Sequence, residues 1–362
     1  MFYGTRLRQA RELRGLTQSG LAKLIGKSQG TVANVEAGLQ PPSQEILFEI
    51  VKHTAFPASF FSAEPREEFA TETLMCRARA AATRRDLVSA SRFAEIVYEI
   101  LSCVLESYAD PVPVSIRKTS ESPQVAAQEA RRAAGLSPSQ PIPHVINAIE
   151  KTGVVVLALP IDIKKIDAFS LWIGKEIRRP LIALCAGRPG DRLRWNASHE
   201  WGHLALHADM KQLRAQEHHE ADQFAAEFLL PEIAMRQELI PPVTLSTLAA
   251  LKGRWKVSIQ ALVMRASDLN IISQWQKQKL FEQIGARGWR MREPANLDVA
   301  IEKPRALRQM AEIAYGKPIN YGQLAAESRM NVDLVRQIVE GYEEASMVTP
   351  SEKSGKIIQM KG

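Results

Sequence analysis

Apolar residues recur at three- and four-residue spacing through most of this chain, and gather into short unbroken runs in one central stretch. The first pattern marks amphipathic helices and the second marks buried strands. In residues 5–14, Leu7, Ala10 and Leu13 share one side of a basic helix whose Arg6, Arg8, Arg11 and Arg14 read as a solvated face. A short helix follows, capped by Thr17 and closed by Gly26, then a third over Ser28–Gly38 and a fourth over Ser43–His53. Leu21, Ile25, Val32 and Val35 are the core positions of this set. Residues 55–85 mix Pro57 and Pro65 with Phe56, Phe60, Phe61 and Phe69. Free linkers avoid aromatics, so this is a packed connector. Phe93, Ile96, Val97, Ile100, Leu101, Val104 and Leu105 then predict one amphipathic helix over 86–107, ended by Pro111 and Pro113. Its stripe suits packing within the chain better than a dimer contact.

A helix beginning at Ser122-Pro123 and another over Ile142–Glu150, closed by Gly153, precede the apolar runs Val154–Leu159, Ala168–Ile173 and Leu181–Cys185. Those runs predict three strands. Helical spacing returns over 196–207 and in the segment that ends at Pro231, then over Val243–Lys252, Arg254–Ala266 and Gln274–Gly285. In the tail, Tyr321–Ile338 has helix-turn-helix length without a basic recognition surface, which suits a protein-contact module. The expected fold class is therefore mainly α with a small sheet (α+β). The expected units are 1–62, a helical connector 63–115, a domain over 116–285 that begins near Ser120, and a helical module over 286–362.

With 362 residues the chain has room for two or three cores. A net charge of +7 fits a polyanionic partner. Three widely spaced cysteines, Cys76, Cys103 and Cys185, argue against a disulfide framework and a cysteine metal site, and point to a cytoplasmic protein. No apolar run approaches membrane-spanning length, so no membrane partner is expected.

Candidate chemistry concentrates in His199-Glu200-Trp201-Gly202-His203, and five of the seven histidines fall between 199 and 219. On a helix, positions i and i+4 share a face, so His199 and His203 can point at one ion. Glu200 lies beside that ion, where a general base takes a proton from an activated water. A catalytic zinc site also needs a third ligand and acceptors that orient the ligating imidazoles. The second helix, Glu217–Pro231, carries candidates for both.

The H-E-x-x-H helix followed by Asp222-Gln-Phe-Ala-Ala-Glu-Phe-Leu-Leu-Pro231 resembles the ImmA/IrrE family of zinc metallopeptidases. That resemblance implies a zincin-like fold, Zn2+ as cofactor, a third ligand four residues before a supporting Asn or Asp, and a protein substrate. In zincins an edge strand takes the substrate peptide by strand addition. Asp222 fits the supporting position, but His218 stands where the family has Glu. His218 is the expected ligand, since a three-histidine site suits catalytic zinc. Glu217 and Glu220 remain alternatives, although they point about 100° and about 200° away from His218 on a regular helix. His219 reads as a solvated neighbour and His207 as part of the helix surface or core, or a support behind the ligands.

The N-terminal helices, with the closing Glu36-x-Gly38-x-x-x-Pro42, resemble the XRE (phage Cro/CI-type) DNA-binding domain over residues 1–62. In that register Gln29 and Asn34 read bases, while Gln18, Lys27 and Thr31 meet phosphates. Gly30 leaves one usual reading position without a side chain. The Leu245–Ser258 neighbourhood also resembles fused XRE–ImmA proteins and reads as the helical cap of the peptidase. Together the resemblances imply a homodimeric transcriptional regulator on a double-stranded DNA operator. Its zinc-dependent metalloprotease domain would cleave a repressor, an antitoxin or the chain itself. The alternative is a non-proteolytic regulator or antitoxin whose metal domain senses a ligand or docks a partner toxin.

Overall fold

The computed structural model describes residues 1–71, 74–78, 83–107, 112–116, 119, 121–159, 166–174, 178–185, 187–208, 210, 213–290 and 292–341. Pro111, Ser120 and the tail beyond residue 341 lie outside them. The first four helices are α1 (Gly4–Leu13), α2 (Gln18–Leu24), α3 (Gln29–Glu36) and α4 (Gln44–Thr54). Thr17, Ser28 and Ser43 each accept a backbone N–H of the helix they precede, satisfying a donor the helix itself leaves open. Gly26 joins α2 to α3 with φ +65°, a left-handed turn that glycine adopts without strain. Leu21, Ile25, Val32 and Val35 are all buried.

Two of the α1 arginines are not on a solvated face. Arg11 grips Glu36 through two bonds of 2.5 and 3.1 Å, and Arg6 reaches Glu99 at 2.7 Å. Gln9 adds a bond of 2.8 Å to Glu95. A charge removed from water needs partners of this kind. Arg8 and Arg14 remain exposed.

The connector contributes a short turn over Ala58–Ser62, a strand β1 (Met75–Ala78) and the long helix α5 (Arg84–Ser107). Phe56, Phe60 and Phe61 are buried beneath the first bundle. Phe93, Ile96, Val97, Ile100, Leu101 and Val104 are buried within the chain, so that stripe is covered without a second copy. The pattern Met-Cys-Arg-Ala does not alternate and has no β-branched residue, and so it did not announce β1. Its pairing is dictated by the strand beside it.

Next come α6 (Pro123–Ala133), α7 (Val145–Glu150), β2 (Val155–Leu159), β3 (Ile166–Ile173) and β4 (Arg179–Cys185). The sheet order is β1-β3-β4-β2, antiparallel except for the β2/β4 pair. Alternation assigns its faces. Phe169, Leu171, Ile173, Leu181 and Ala183 pack with α5, while Ala168, Ile182 and Leu184 join the core around α8 (Gly190–Leu206). Alongside α8 runs α9 (Ala215–Leu229). A Cβ at Gly202 would stand 3.1 Å from the Phe224 ring, so glycine there lets the two helices approach.

Helices α10 (Glu232–Glu238), α11 (Leu245–Trp255), α12 (Ile259–Asp268) and α13 (Gln274–Ala286) complete the second core. The tail forms α14 (Ala306–Tyr315), α15 (Tyr321–Ser328) and α16 (Val332–Glu340). It packs on α5 and β2. Leu307, Ala311, Leu324, Val335 and Ile338 belong to the same core as the first bundle. Buried carboxylates fasten it: Glu302 pairs with Arg194 and accepts Ile146 N at 2.9 Å, and Glu150 accepts Arg305 N and Ala306 N at 2.9 Å. Among the described residues, no helix is long and apolar enough to cross a membrane.

Candidate metal centre and nucleic-acid interface

Helix α8 carries His199 and His203 on one face, and α9 brings His218 against them. His203 Nε2 lies 3.1 Å from His199 Nε2 and 3.1 Å from His218 Nδ1. His199 and His203 are buried and His218 is partly exposed.

Hydrogen bonds behind these rings fix which nitrogen faces inward. His199 Nδ1 is 2.9 Å from Asp222 Oδ1, and a carboxylate only accepts, so Nδ1 carries the proton and Nε2 presents its lone pair. Trp195 Nε1 donates to the same oxygen at 3.2 Å and holds Asp222 in place. Behind His203 the chain is longer. His207 Nε2 meets Glu220 Oε2 at 3.0 Å, so His207 donates there and accepts at Nδ1. His203 Nδ1, 3.0 Å away, must be that donor, which again turns an Nε2 lone pair inward. Two lone pairs 3.1 Å apart repel unless a cation sits between them. Tetrahedral zinc with nitrogen bonds near 2.0–2.1 Å needs ligand nitrogens about 3.3 Å apart. Both 3.1 Å separations are close to that spacing, and the three ligand atoms lie within 4.8 Å of one another, so the histidines can gather round such an ion.

The other candidates on α9 are engaged elsewhere. Glu217 accepts Arg214 N at 2.6 Å as part of the helix start. Glu220 accepts from His207 and from Gln216, and these bonds hold its carboxyl below the usual range. His219 is exposed, 3.2 Å from Gln223.

Glu200 is fully buried beside the histidines, and its Oε2 accepts the Ser170 hydroxyl at 2.7 Å. Ser170 is on β3, so the sheet helps to position the carboxylate. Opposite Ser170 in the ladder stands Met75 of β1. The outer edge of β3 is therefore paired by the connector. Three contributors were not visible from local spacing: Ser170, the His207–Glu220 relay and β1. Only His207 carried a signal, its place one turn beyond His203.

At the other end of the chain, Gln29 and Asn34 are exposed on α3. Gln29 Nε2 donates to Gln18 Oε1 at 2.8 Å, and Gln18 Nε2 donates to Glu36 at 2.8 Å. The two glutamines are thus brought together and tied to the Arg11–Glu36 pair. Lys27 makes a 3.2 Å pair with Glu45, an exposed contact that contributes little. Thr31 donates its backbone N–H to Ser28 Oγ at 3.1 Å in the cap of α3.

A helical bundle with a capped α2–α3 pair, joined to a small sheet and a histidine triad on two packed helices, defines a DNA-binding unit with a metallopeptidase-like one. Residues 7–61 match the family model described as helix-turn-helix, and residues 149–267 match the one described as IrrE N-terminal-like domain. The chain thus joins a segment similar to XRE-type helix-turn-helix domains to a segment similar to ImmA/IrrE domains. No significant match to a curated protein was found.

Proposed function

We propose that this chain is a cytoplasmic DNA-binding transcriptional regulator whose second unit is a zinc-dependent metallopeptidase acting on a protein. The observation that carries the peptidase reading is the convergence of His199, His203 and His218 with the buried Glu200 carboxylate beside them. Zinc held by the three imidazoles would supply Lewis-acid activation of water and of a peptide carbonyl. Glu200 accepts the proton of the attacking water and returns it to the departing amine. Ser170 holds Glu200 Oε2 and fixes its direction. Asp222, and His207 with Glu220, keep the imidazole lone pairs aimed at the ion. In the helix-turn-helix unit, Gln29 and Asn34 read base edges while Gln18, Lys27 and Thr31 meet phosphates. A homodimer on a two-fold operator suits such a unit.

The substrate class is a repressor or antitoxin protein, or this chain itself. A second reading is favoured by one observation: β1 pairs the edge of β3 on which a peptide strand would add. On that reading the domain senses a ligand or docks a partner such as a toxin without cutting it.

Zinc content and cleavage separate the two. Wild type should carry about one zinc per chain by elemental analysis, and His199→Ala should lose it. Equal zinc in both would overturn the site. Zinc-loaded wild type and Glu200→Gln, incubated with host lysate, should differ in new protein termini seen by mass spectrometry. Identical termini from both would overturn the peptidase reading and leave the docking one.

A further inference from the structure

Between the helix-turn-helix unit and the start of α5 lies a hollow of about 450 Å³. Thr17, Gln18 and Gln29 line one side of it, and Arg84, Arg85 and Val88 line the other. The residues assigned to base and backbone contact therefore share a cavity with three residues of the connector.

The charges in this hollow differ in one respect. Arg11 is held by Glu36 and Glu12 is held by Arg92 at 2.8 Å. Arg84 and Arg85 are exposed and make no ion pair with any described residue. Both line the hollow, and a ligand with several anionic oxygens can neutralise their charge. Phosphodiester oxygens match guanidinium hydrogen-bond geometry.

The position of the hollow selects duplex DNA from among phosphate-bearing ligands. In helix-turn-helix docking, the first helix of the pair crosses the sugar–phosphate backbone and the second places its N-terminal residues at base edges. Here those helices are α2 and α3, and the Gln18–Gln29 bond joins their starts. A strand passing over Gln18 borders the hollow that Arg84 and Arg85 also line.

We propose that Arg84 and Arg85 are DNA phosphate contacts, so that the operator interface extends from the helix-turn-helix unit onto the connector. This rests on the reading that residues 7–61 bind duplex DNA. The arm that reaches the backbone is continuous with the strand that pairs β3, because Arg84 follows Ala78 by six residues. DNA thus touches the segment that also enters the peptidase sheet.

The test uses the full chain and two fluorescein-labelled 30-base-pair duplexes. One has random sequence and the other is selected from a random library for tight binding. Affinity is measured by anisotropy across a salt series. Each phosphate contact releases counterions and adds about 0.9 to the slope of log affinity against log salt. The double variant Arg84→Ala/Arg85→Ala should lower the slope by about two. It should weaken both duplexes alike, by roughly five- to tenfold per arginine at 0.1 M salt. A matched double variant, Arg132→Ala/Arg287→Ala, removes the same net charge elsewhere and should leave the slope unchanged. Equal slopes for wild type and Arg84→Ala/Arg85→Ala, or equal effects of the two double variants, would overturn the proposal. Failure of wild type to bind either duplex would instead overturn the DNA-binding reading on which it rests.

Discussion

His203 and His207 stand one turn apart on α8 with their Nδ1 atoms 3.0 Å apart, and His207 passes the contact on to Glu220 at 3.0 Å. The carboxylate sets the tautomer of the second ring, and the second ring sets that of the first. A buried His207 is thus a positioning residue for the imidazole nearest both of its partners in the triad.

His207→Ala should therefore weaken zinc binding without abolishing it, by roughly 10- to 100-fold. Glu220→Gln should act in the same direction and less, because an amide oxygen still accepts from His207 but carries no charge. Competition with a chromophoric chelator reads both. Wild-type affinity in His207→Ala would reduce that ring to core packing.

His218 and its neighbours make a sharper contrast. His218→Ala should strip the zinc that survives gel filtration of wild type, since His218 Nδ1 on α9 stands 3.1 Å from His203 Nε2. Glu217→Ala should retain it, because Glu217 is occupied by Arg214 N at the start of α9. Elemental analysis of the two variants decides it. Zinc retained in His218→Ala and lost in Glu217→Ala would transfer the third ligand to the acid.

The histidine cluster of the candidate metal site was legible because its parts are local. His199 and His203 are separated by one helical turn, and so are His218 and Asp222, so each pair can be read within its own helix. The helix-turn-helix was legible for the same reason, through Thr17, Gly26 and the buried Val32 and Val35. What escaped depends on residues far apart. Arg6 meets Glu99 across 93 positions and so left the solvated face expected of it. Ser170 meets Glu200 across 30 positions, and nothing in the sequence around either residue marks the other. The tail showed helix-turn-helix length, but its partners, α5 and β2, lie far back in the chain.

Glu150 gives a pH dependence with a definite sign. Burial between α7 and the start of α14 raises its carboxyl from the ordinary 4.5 to about 7. The folded chain then holds a proton that the unfolded chain releases between those values. Stability falls as pH rises from about 4.5 to about 7, by at most about 3 kcal/mol, and this contribution is complete only below the unfolded value. Glu150→Gln keeps an acceptor for Arg305 N and Ala306 N without the titration. Urea unfolding at a series of pH values should show a shallower pH slope for Glu150→Gln than for wild type. Parallel slopes would show that the carboxyl titrates normally.

The pairing of Met75 with Ser170 yields the last prediction. Ser170 holds the Glu200 carboxylate, so a strand on the outer edge of β3 passes beside the candidate base. Strand addition needs an unpaired edge, and β1 pairs this one. A peptide that uses this track must displace β1 first. Replacing the strand in the full chain, as Met75→Gly/Cys76→Ser/Arg77→Gly/Ala78→Ser, removes its buried methionine and lowers its tendency to pair. A fluorescein-labelled peptide of residues 71–82 should then bind the variant with saturable anisotropy and fail to bind wild type. The readout needs neither zinc nor cleavage, so it stands apart from the question of catalysis. Circular dichroism and the unfolding midpoint establish that the variant is folded. Equal binding to both proteins, or none to a folded variant, would mean that the β3 edge is not the peptide track. A substrate would then have to approach the histidines from the side where His218 is partly exposed.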